Sequence, residues 1–308
     1  MHGILNINKP KGITSHDVVY KVRKILRTKK VGHTGTLDPN ATGVLPIVIG
    51  RATKLSDYIM GADKIYRAEL ILGKTTNTQD ITGELLKSVE LKTSEKLNSE
   101  LGMKNLENAI KSFIGELYQT PPMFSAIKKD GVPLYKLARQ NIEIERTHRL
   151  VNIKNITIHN VLVDRAIIEV HCSKGTYIRT LCHDIGEKLG FGACMGDLQR
   201  IRSGNFTIET AVNLNDELEK HIIPMDFFFN HLQALNLDAK FKKFLENGNN
   251  VFYKPLAKDF INQTVNNNNT SEDIFNTETN VRVYCDNKFY GIYYIEENSL
   301  TPKVFLST

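Results

Sequence analysis

The stretch VGHTGTLDPNATGVLPI, residues 31–47, surrounds one carboxylate, Asp38, with glycines and threonines and then runs into an apolar segment. Because Asp38 precedes Pro39, its backbone is biased toward an extended conformation, and the glycines allow tight turns and close approach of a ligand. The pattern predicts a shaped polar loop that leads into a buried strand. On these local grounds a turn residue is the simpler interpretation of Asp38, and a chemical role stays open.

The composition is that of a large globular protein. The 308 residues are 41% hydrophobic and 24% charged, which is enough for a sizeable core and is typical of one large domain with a smaller one. No apolar run reaches the roughly 18 residues of a membrane helix, and the start MHGILNINKPKG lacks the features of a signal peptide. We expect a cytoplasmic protein without membrane association.

The common metal and cofactor motifs do not occur in this sequence. The four cysteines, at positions 172, 182, 194 and 285, form no C-x-x-C pair, so neither a zinc ribbon nor a redox dithiol is indicated. There is no G-x-x-x-x-G-K-[ST] phosphate loop, no correctly spaced dinucleotide fingerprint, and no H-E-x-x-H or G-x-S-x-G site. We therefore expect chemistry by ordinary side chains, without a metal or cofactor.

Positive charge is concentrated at the start of the chain. The whole protein has a net charge of +6, whereas residues 1–60 contain ten Lys and Arg against three Asp, a net charge of +7, so the other 248 residues carry −1. This asymmetry favours a polyanionic partner such as nucleic acid for the N-terminal part. An ordinary solvated basic face would give the same distribution.

Apolar periodicity predicts two helical segments in the first part of the chain. Apolar residues recur at helical spacing from Val18 to Leu26, with Ser15 as the predicted N-cap and Asp17 in the favourable first turn. Residues 92–118 are predicted as one charged helical stretch. The first of these helices leads directly into the stretch that holds Asp38.

The C-terminal residues predict a different kind of structure. The tail VRVYCDNKFYGIYYIEENSLTPKVFLS, residues 281–307, predicts a hairpin that turns at Asp286–Asn287 and is followed by another strand. Asparagine-rich stretches at 247–250 and 266–269 predict exposed loops. We expect a small β-rich domain at about 235–308.

Five longer motifs occur in order along the chain: LNINKPKGITSHDVV, VGHTGTLDPNATGVLPI, KIYRAELILG, TPPMFSAIKKDGVPLYKLAR and CSKGTYIRTLCHDIGEKLG. Together they resemble the TruB family of tRNA pseudouridine synthases over about residues 3–205. The tail is similar, less closely, to the small RNA-binding β domain (PUA-like) that often ends this family. The resemblance implies an α+β fold, with a mixed, largely antiparallel central sheet and flanking helices in a catalytic domain at 1–234 and a small all-β domain at 235–308.

The activity that the resemblance implies is isomerisation of one uridine, position 55, in the T loop of tRNA. The bond between uracil N1 and ribose C1′ is broken, the base is rotated, and its C5 is joined to C1′. The base must first be flipped out of the RNA. The resemblance further implies the T arm of tRNA as partner, no cofactor or metal, and a monomeric enzyme.

The resemblance assigns this chemistry to a carboxylate and its neighbours. Asp38 matches the family's catalytic aspartate, and whether it acts as a nucleophile or as a general base stays open. A carboxylate that must be ionised in a closed pocket needs a cation, and Arg179 in GTYIRTL matches the arginine that pairs with it. Tyr66 matches the active-site tyrosine, which offers a surface on which a flipped base can stack.

Three further residues complete the implied site. His33 matches a histidine thought to occupy the space that the base vacates. Leu198 in DLQR matches an apolar wall of the pocket, and Asp80 is expected to hold Arg179 from behind. The family usually has a basic residue where Gln199 stands, so contacts with the RNA backbone beside Leu198 are not implied.

Basic residues supply the expected RNA contacts. The 119–149 insertion resembles a mobile element that closes over the T arm in this family, and phosphate contacts from its cations would weaken with salt. Lys9 lies in a Lys–Pro turn that is expected to be mainly structural. The candidate RNA-binding residues are Lys9, Lys29, Lys30, Lys128, Lys129, Lys136, Arg139 and Arg146.

Two other functions fit the same resemblance. A guide-RNA-dependent relative would work inside a ribonucleoprotein, but that class generally lacks the 119–149 insertion. A non-catalytic RNA-binding protein on the same scaffold could lose its aspartate, whereas this sequence retains Asp38 together with Tyr66 and Arg179. The sequence therefore favours a stand-alone tRNA-modifying enzyme.

Overall fold

The computed structural model describes residues 1–91, 97, 99–140, 142–252, 279–296 and 299–306. These residues form one nine-stranded sheet, one five-stranded sheet near the C-terminus, and two short two-stranded sheets. None of the helices in the described ranges combines the length and the apolar character needed to cross a membrane.

The strands occur throughout the chain. They are β1 (Gly3–Lys9), β2 (Val31–His33), β3 (Thr42–Ile49), β4 (Lys64–Leu72), β5 (Lys74–Thr76), β6 (Leu85–Ser88), β7 (Gly115–Gln119), β8 (Lys128–Lys129), β9 (Val132–Pro133), β10 (Arg149–Val161), β11 (Arg165–Cys172), β12 (Ala193–Ser203), β13 (Phe206–Thr207), β14 (Ala234–Leu237), β15 (Val251–Phe252), β16 (Thr279–Cys285), β17 (Lys288–Glu296) and β18 (Ser299–Phe305).

Helices connect these strands and cover the large sheet. The α-helices are α1 (Ser15–Ile25), α2 (Ser56–Gly61), α3 (Glu100–Lys111), α4 (Leu134–Ala138), α5 (Ile178–Leu189) and α6 (Lys242–Asn247). Short 3-10 helices span Gly50–Leu55, Ile208–Thr210, Leu218–His221, Phe227–Phe229 and Ala239–Phe241.

The nine-stranded sheet brings distant segments together at its centre. Its main path runs β1–β3–β12–β4–β11–β10–β7, with β2 attached to β3 and β13 to β12. Its strand pairs are antiparallel except β3 and β12, which run parallel where Thr42 and Gly43 face Gln199 and Arg200. The predicted α+β fold with a mixed, largely antiparallel sheet is confirmed, and the parallel junction places the loop before β3 beside β12.

The two faces of this sheet pack against different partners. Val22 of α1, Leu106 of α3 and Leu181 of α5 are fully buried in one apolar cluster with residues of β3 and β4. Each such side chain contributes about 1.5–3 kcal/mol on burial. On the other face, Val44 shares an apolar cluster with Val304 of the C-terminal sheet. The C-terminal sheet is therefore packed on the back of the strand that follows Asp38.

Helix α1 begins with a capping box, but its N-cap is Thr14 and the prediction of Ser15 was wrong. The Thr14 hydroxyl accepts a hydrogen bond from the Asp17 N–H at 3.0 Å, and the Asp17 carboxylate accepts one from the Thr14 N–H at 2.8 Å. Ser15 is buried instead, and its hydroxyl bonds the backbone of Leu37. A serine that resembles a helix cap therefore holds the loop that carries Asp38.

The predicted helix over 92–118 was too long. The helix α3 ends at Lys111, and Gly115–Gln119 forms β7, which pairs with β10. Gly115 has a φ of 111°, in the region that favours glycine, so the chain turns there from helix to strand. Residues 92–96 and 98 lie outside the described residues.

The C-terminal sheet has the order β14–β16–β17–β18–β15 and begins at Ala234. The predicted hairpin between β16 and β17 is present, and its turn residues Asp286 and Asn287 have φ of 50° and 58°. Two positive φ values are what a two-residue type I′ turn requires. The asparagine-rich stretch at 266–269 lies outside the described residues, whereas Asn249 and Asn250 are exposed as predicted.

Candidate active site

The loop between β2 and β3 is fixed on both sides of Asp38. The Ser15 hydroxyl accepts a hydrogen bond from the Leu37 N–H at 2.9 Å and donates to the Leu37 carbonyl at 3.2 Å. The Lys9 ammonium donates to the Pro39 carbonyl at 3.0 Å. Because both neighbours of Asp38 are held in this way, the loop presents its carboxylate from a defined backbone position.

Lys9 is a buried part of this framework. Its side chain is fully buried, and its ammonium also donates to the carbonyls of Pro10 at 2.9 Å and Ile13 at 2.7 Å. Burial lowers the pKa of Lys9 to about 8, while the charge of Asp38 opposes this shift. The prediction that Lys9 binds RNA was wrong, because its three donors are used inside the protein; the expected structural role stands.

Asp38 and Arg179 form the ion pair at the centre of the site. The Arg179 Nε lies 3.0 Å from Asp38 Oδ2, and its Nη2 donates to Oδ1 at 3.4 Å. The arginine side chain is 6% exposed and the aspartate side chain 41% exposed. Burial raises the pKa of Asp38, the Arg179 guanidinium lowers it, and Asp80 raises it further. Arg179 therefore opposes the protonation that burial and Asp80 favour at this carboxyl.

Arg179 also joins three separate segments of the chain. Its Nη1 donates to the Thr78 carbonyl at 3.1 Å, and its Nη2 donates to the Phe124 carbonyl at 2.8 Å, in the 119–149 insertion. Asp80 Oδ2 lies 3.6 Å from Nη1, on the side away from Asp38. The expected contact between Asp80 and Arg179 is present, and the guanidinium is held by the planar set of acceptors that suits arginine.

Two threonines that the sequence interpretation missed orient Asp80. Asp80 Oδ1 accepts hydrogen bonds from the Thr78 hydroxyl at 2.9 Å, the Thr82 N–H at 3.0 Å and the Thr82 hydroxyl at 2.6 Å. The spacing of threonines two residues before and after an aspartate, in TTNTQDIT, is the available signal for such a local turn. Three donors on one oxygen leave the other oxygen facing Arg179.

We predict that Thr82→Val lowers the turnover of RNA substrate without weakening RNA binding. The variant removes the 2.6 Å hydroxyl contact, so Asp80 is less well oriented and Arg179 less well aligned with Asp38. A loss of about tenfold in kcat is expected, since small misplacements near the chemistry are costly.

Single-turnover rates and RNA dissociation constants measure this effect, with Thr82→Ser expected to restore the rate. Asn77→Ala is the matched control. The Asn77 side chain forms hydrogen bonds with Glu84 in the same loop and does not contact the Asp80 carboxylate. Equal losses of kcat in Thr82→Val and Asn77→Ala would contradict a specific role for Thr82.

Tyr66 lies on β4 beside the same carboxylate. Its side chain is half-buried against the main apolar cluster, and the Arg200 guanidinium lies near its hydroxyl. Burial raises the pKa of Tyr66, Arg200 lowers it, and the charge of Asp38 raises it. Leu198 is buried at 8% exposure on β12, opposite Ala68 of β4. The sheet thus places both predicted pocket residues near the Asp38 loop.

His33 ends β2 near Arg200, and its ring is neutral. Burial, together with the nearby His16 and Arg200, lowers its pKa to about 4. Its Nδ1 accepts a hydrogen bond from the Gly35 N–H at 3.4 Å, which leaves Nε2 as the protonated nitrogen. Because the ring is neutral at physiological pH, a space-filling role suits His33 better than a role in proton transfer.

The structure adds Arg200 and Tyr177 to this site. Arg200 is 1% exposed and donates to the carbonyls of Val44 at 2.7 Å and Gly35 at 3.1 Å. The backbone of Tyr177 is held by Gln119, whose amide accepts from its N–H at 2.7 Å and donates to its carbonyl at 3.0 Å. In the sequence, Arg200 stands between Leu198 and Ile201 in LQRI, and Tyr177 stands two residues before Arg179.

The predicted RNA-binding cations, apart from Lys9, stay predictions. Six of them are exposed: Lys29, Lys30, Lys128, Lys129, Lys136 and Arg139. Arg146 is partly exposed and donates to the Pro121 carbonyl at 3.2 Å and to Glu143 at 3.1 Å. Within the described residues no group of three or more His, Cys, Asp or Glu side chains is placed to hold a metal ion.

Comparison with known families and proteins gives consistent results. The family model described as "TruB family pseudouridylate synthase (N terminal domain)" matches residues 23–178, and "tRNA pseudouridylate synthase B C-terminal domain" matches residues 179–228. A protein named tRNA pseudouridine synthase B from Alkaliphilus oremlandii is 49% identical over 257 residues, covering 82% of this chain and 83% of that protein. The protein of the same name from Clostridium tetani is 44% identical over 296 residues, covering 95% of each.

Solved structures show a similar fold. A chain in a Cbf5–Nop10–Gar1 complex has a TM-score of 0.67 at 23% identity, over 99% of this chain and 87% of that chain. A chain in an H/ACA RNP bound to a substrate RNA containing 2′-deoxyuridine has a TM-score of 0.67 at 21% identity, over 99% of this chain and 85% of that one. At these identities the likeness concerns the fold.

Proposed function

The chain belongs to the TruB family of pseudouridylate synthases, and from this premise we propose that it is a tRNA pseudouridine synthase that isomerises uridine 55 in the T loop of tRNA. Relatives at 44–49% identity carry the name tRNA pseudouridine synthase B. The observation that carries the proposal is the contact between Asp38 and Arg179, with Nε 3.0 Å from Oδ2, since a non-catalytic RNA-binding relative has no need of a carboxylate held in a pocket by an arginine.

We infer that Asp38 is the catalytic residue. The reaction breaks the N1–C1′ bond of uridine, turns the uracil, and forms a C5–C1′ bond, after which the hydrogen on C5 leaves as a proton. An ionised carboxylate can attack as a nucleophile or remove a proton as a general base, and both roles require the charged form, which Arg179 favours. Tyr66 offers a face for the flipped base, while His33 fills the space that the base leaves.

The remaining predicted site residues act around this pair. Leu198 forms an apolar wall, and Asp80 keeps Arg179 in place through the contacts already described. No metal or cofactor enters this scheme, because bond breaking, rotation and bond formation are redox-neutral and need only acid–base or nucleophilic groups.

Binding of the T arm is assigned to the insertion and to nearby cations. Lys128, Lys129, Lys136 and Arg139 are exposed on the 119–149 insertion and are suited to contact phosphates. The contact from Arg179 to Phe124 connects this insertion directly to the catalytic pair. We expect the C-terminal domain at 235–308 to add RNA contacts, and the enzyme to act as a monomer in the cytoplasm.

The structured insertion also favours a stand-alone enzyme over a guide-dependent one. Residues of the insertion form the β8–β9 hairpin and helix α4, so a protein element is present where a guide RNA and partner proteins would otherwise position the target. No observation in the described residues favours a second function.

The test is release of tritium from a tRNA transcript labelled at uridine C5. Formation of the C5–C1′ bond displaces that hydrogen, so the wild-type protein should release one label for each uridine converted. A transcript with cytidine in place of uridine 55 is the matched control and should release none. Release that is unaffected by this replacement would contradict the assigned position, and no release from either transcript would contradict the proposed function.

A further inference from the structure

Helix α1 has an exposed face that the catalytic residues do not use. Its inner side is buried in the main apolar cluster through Val18, Val19 and Val22. The opposite side carries exposed residues at helical spacing and just past the helix end, and we call it the α1 outer face: His16, Tyr20, Lys24 and Arg27. It combines two cations with two aromatic rings on one surface.

Tyr20 distinguishes the α1 outer face from an ordinary solvated basic surface. Its side chain is 67% exposed, although an aromatic ring of this size gains free energy when buried. In the described part of the chain no ring contact, side-chain hydrogen bond or cation–π contact with another residue was found for it. An exposed tyrosine between cations is the arrangement that stacks on unpaired bases while the cations contact phosphates.

Arg27 adds a second unusual feature. It follows the helix end with a φ of 47°, a conformation that glycine usually supplies at this position. This conformation is sterically unfavourable for a residue that has a Cβ. Across the described ranges neither Arg27 nor Lys24 takes part in an ion pair with an acidic side chain, so both charges are available to an external anion.

The α1 outer face starts at the rim of the candidate active site. The His16 ring packs edge-on against the His33 ring with 5.5 Å between centroids. From there the helix extends about 16 Å away from the site, at 1.5 Å per residue, and continues into Lys29 and Lys30. A strand of RNA that leaves the pocket along this helix would pass His16 and Tyr20 before it reaches the cations Lys24, Arg27, Lys29 and Lys30.

We propose that the α1 outer face binds nucleotides of the same tRNA that lie outside the T arm; this inference rests on the proposed function. When the T loop occupies the pocket, the insertion is available to the T arm, whereas α1 lies beyond the rim on the His33 side. The face begins beside His33 and extends along α1 away from it, so nucleotides outside the bound T arm are the ones that reach Tyr20, Lys24 and Arg27. Tyr20 stacks on one such base, and Lys24 and Arg27 contact phosphates.

The test compares whole tRNA with an isolated T-arm stem-loop. Dissociation constants are measured for wild type, Tyr20→Ala and the double variant Lys24→Glu/Arg27→Glu at several salt concentrations. Tyr20→Ala should weaken whole-tRNA binding about fivefold or more, the equivalent of one lost stacking contact. The double variant should weaken it at least about tenfold and reduce the salt dependence. Neither change should affect the isolated T arm.

The matched control is Lys104→Glu/Lys111→Glu on helix α3, which makes the same change in charge on two exposed helical positions. It should leave whole-tRNA binding close to wild type. Equal weakening with both RNAs would place the contact on the T arm and overturn the assignment, as would unchanged binding of whole tRNA. Wild-type tritium release from both RNAs is measured in parallel; its absence would instead overturn the proposed function, and this inference with it.

Discussion

Replacement of Asp38 by asparagine is expected to abolish tritium release from C5-labelled tRNA while leaving tRNA binding intact. Asparagine keeps the size of the side chain but can act neither as a nucleophile nor as a general base. No other side chain of the site then performs the reaction step on the uridine. Loss of the group that performs the chemistry typically lowers kcat by about 10⁴-fold or more. Single-turnover tritium release and filter binding, measured on the same preparations, report the two quantities separately.

Asp197→Asn is the matched control for Asp38→Asn. Asp197 precedes Leu198, is exposed, and forms an ion pair with Lys11 at 2.6 Å. The same chemical change near the same strand should leave turnover close to wild type, because exposed ion pairs contribute about 0–1 kcal/mol. Substantial release by Asp38→Asn would refute the catalytic assignment.

Replacement of Arg179 by methionine is expected to give the second largest effect. Burial raises the pKa of the Asp38 carboxyl and Arg179 opposes that shift, so the variant leaves a larger fraction of the carboxyl protonated at neutral pH. Activity that needs the carboxylate is lost as pH falls through this pKa. The acidic limb of the pH–rate profile should therefore move to higher pH, and kcat near pH 7 should fall about 10²-fold or more.

Arg179→Lys separates charge from geometry. Lysine keeps the positive charge but cannot reach Asp38, Thr78 and Phe124 together as the guanidinium does. The acidic limb should therefore stay closer to wild type than in Arg179→Met, while kcat still falls. Thermal unfolding identifies any general loss of structure. A pH profile that does not move in Arg179→Met would contradict the electrostatic role.

The five motifs, in their order along the chain, predicted the site residues better than local rules for turns and helices did. Local rules treated Asp38 as a turn residue, and only its place among five motifs connected it with Arg179, 141 residues away. The fold class followed from the same motifs, because local periodicity cannot indicate that β3 and β12 run parallel. The contact with Asp80 was expected, whereas the two threonines that orient it were missed, although their spacing around Asp80 is a local signal.

The errors share one physical cause, which is contact between segments distant in sequence. Thr14 and Ser15 are both acceptable caps, and the bond from Ser15 to Leu37 decides between them. Lys9 has the composition of a surface residue, yet the Pro39 carbonyl 30 residues later helps to bury it. Gly115 was included in a predicted helix because its pairing with Ile153 is not a local property.

The contact from Arg179 to the carbonyl of Phe124 has a consequence for how such a sequence can vary. A main-chain oxygen is present whatever side chain occupies position 124, so substitutions there leave the acceptor intact. An insertion or deletion between Gln119 and Phe124 would move the oxygen and break the link between the insertion and the catalytic pair. The side chain at position 124 can thus change without loss of this contact, while the length of the segment before it is fixed, and a comparison of residue identities alone would not show that constraint.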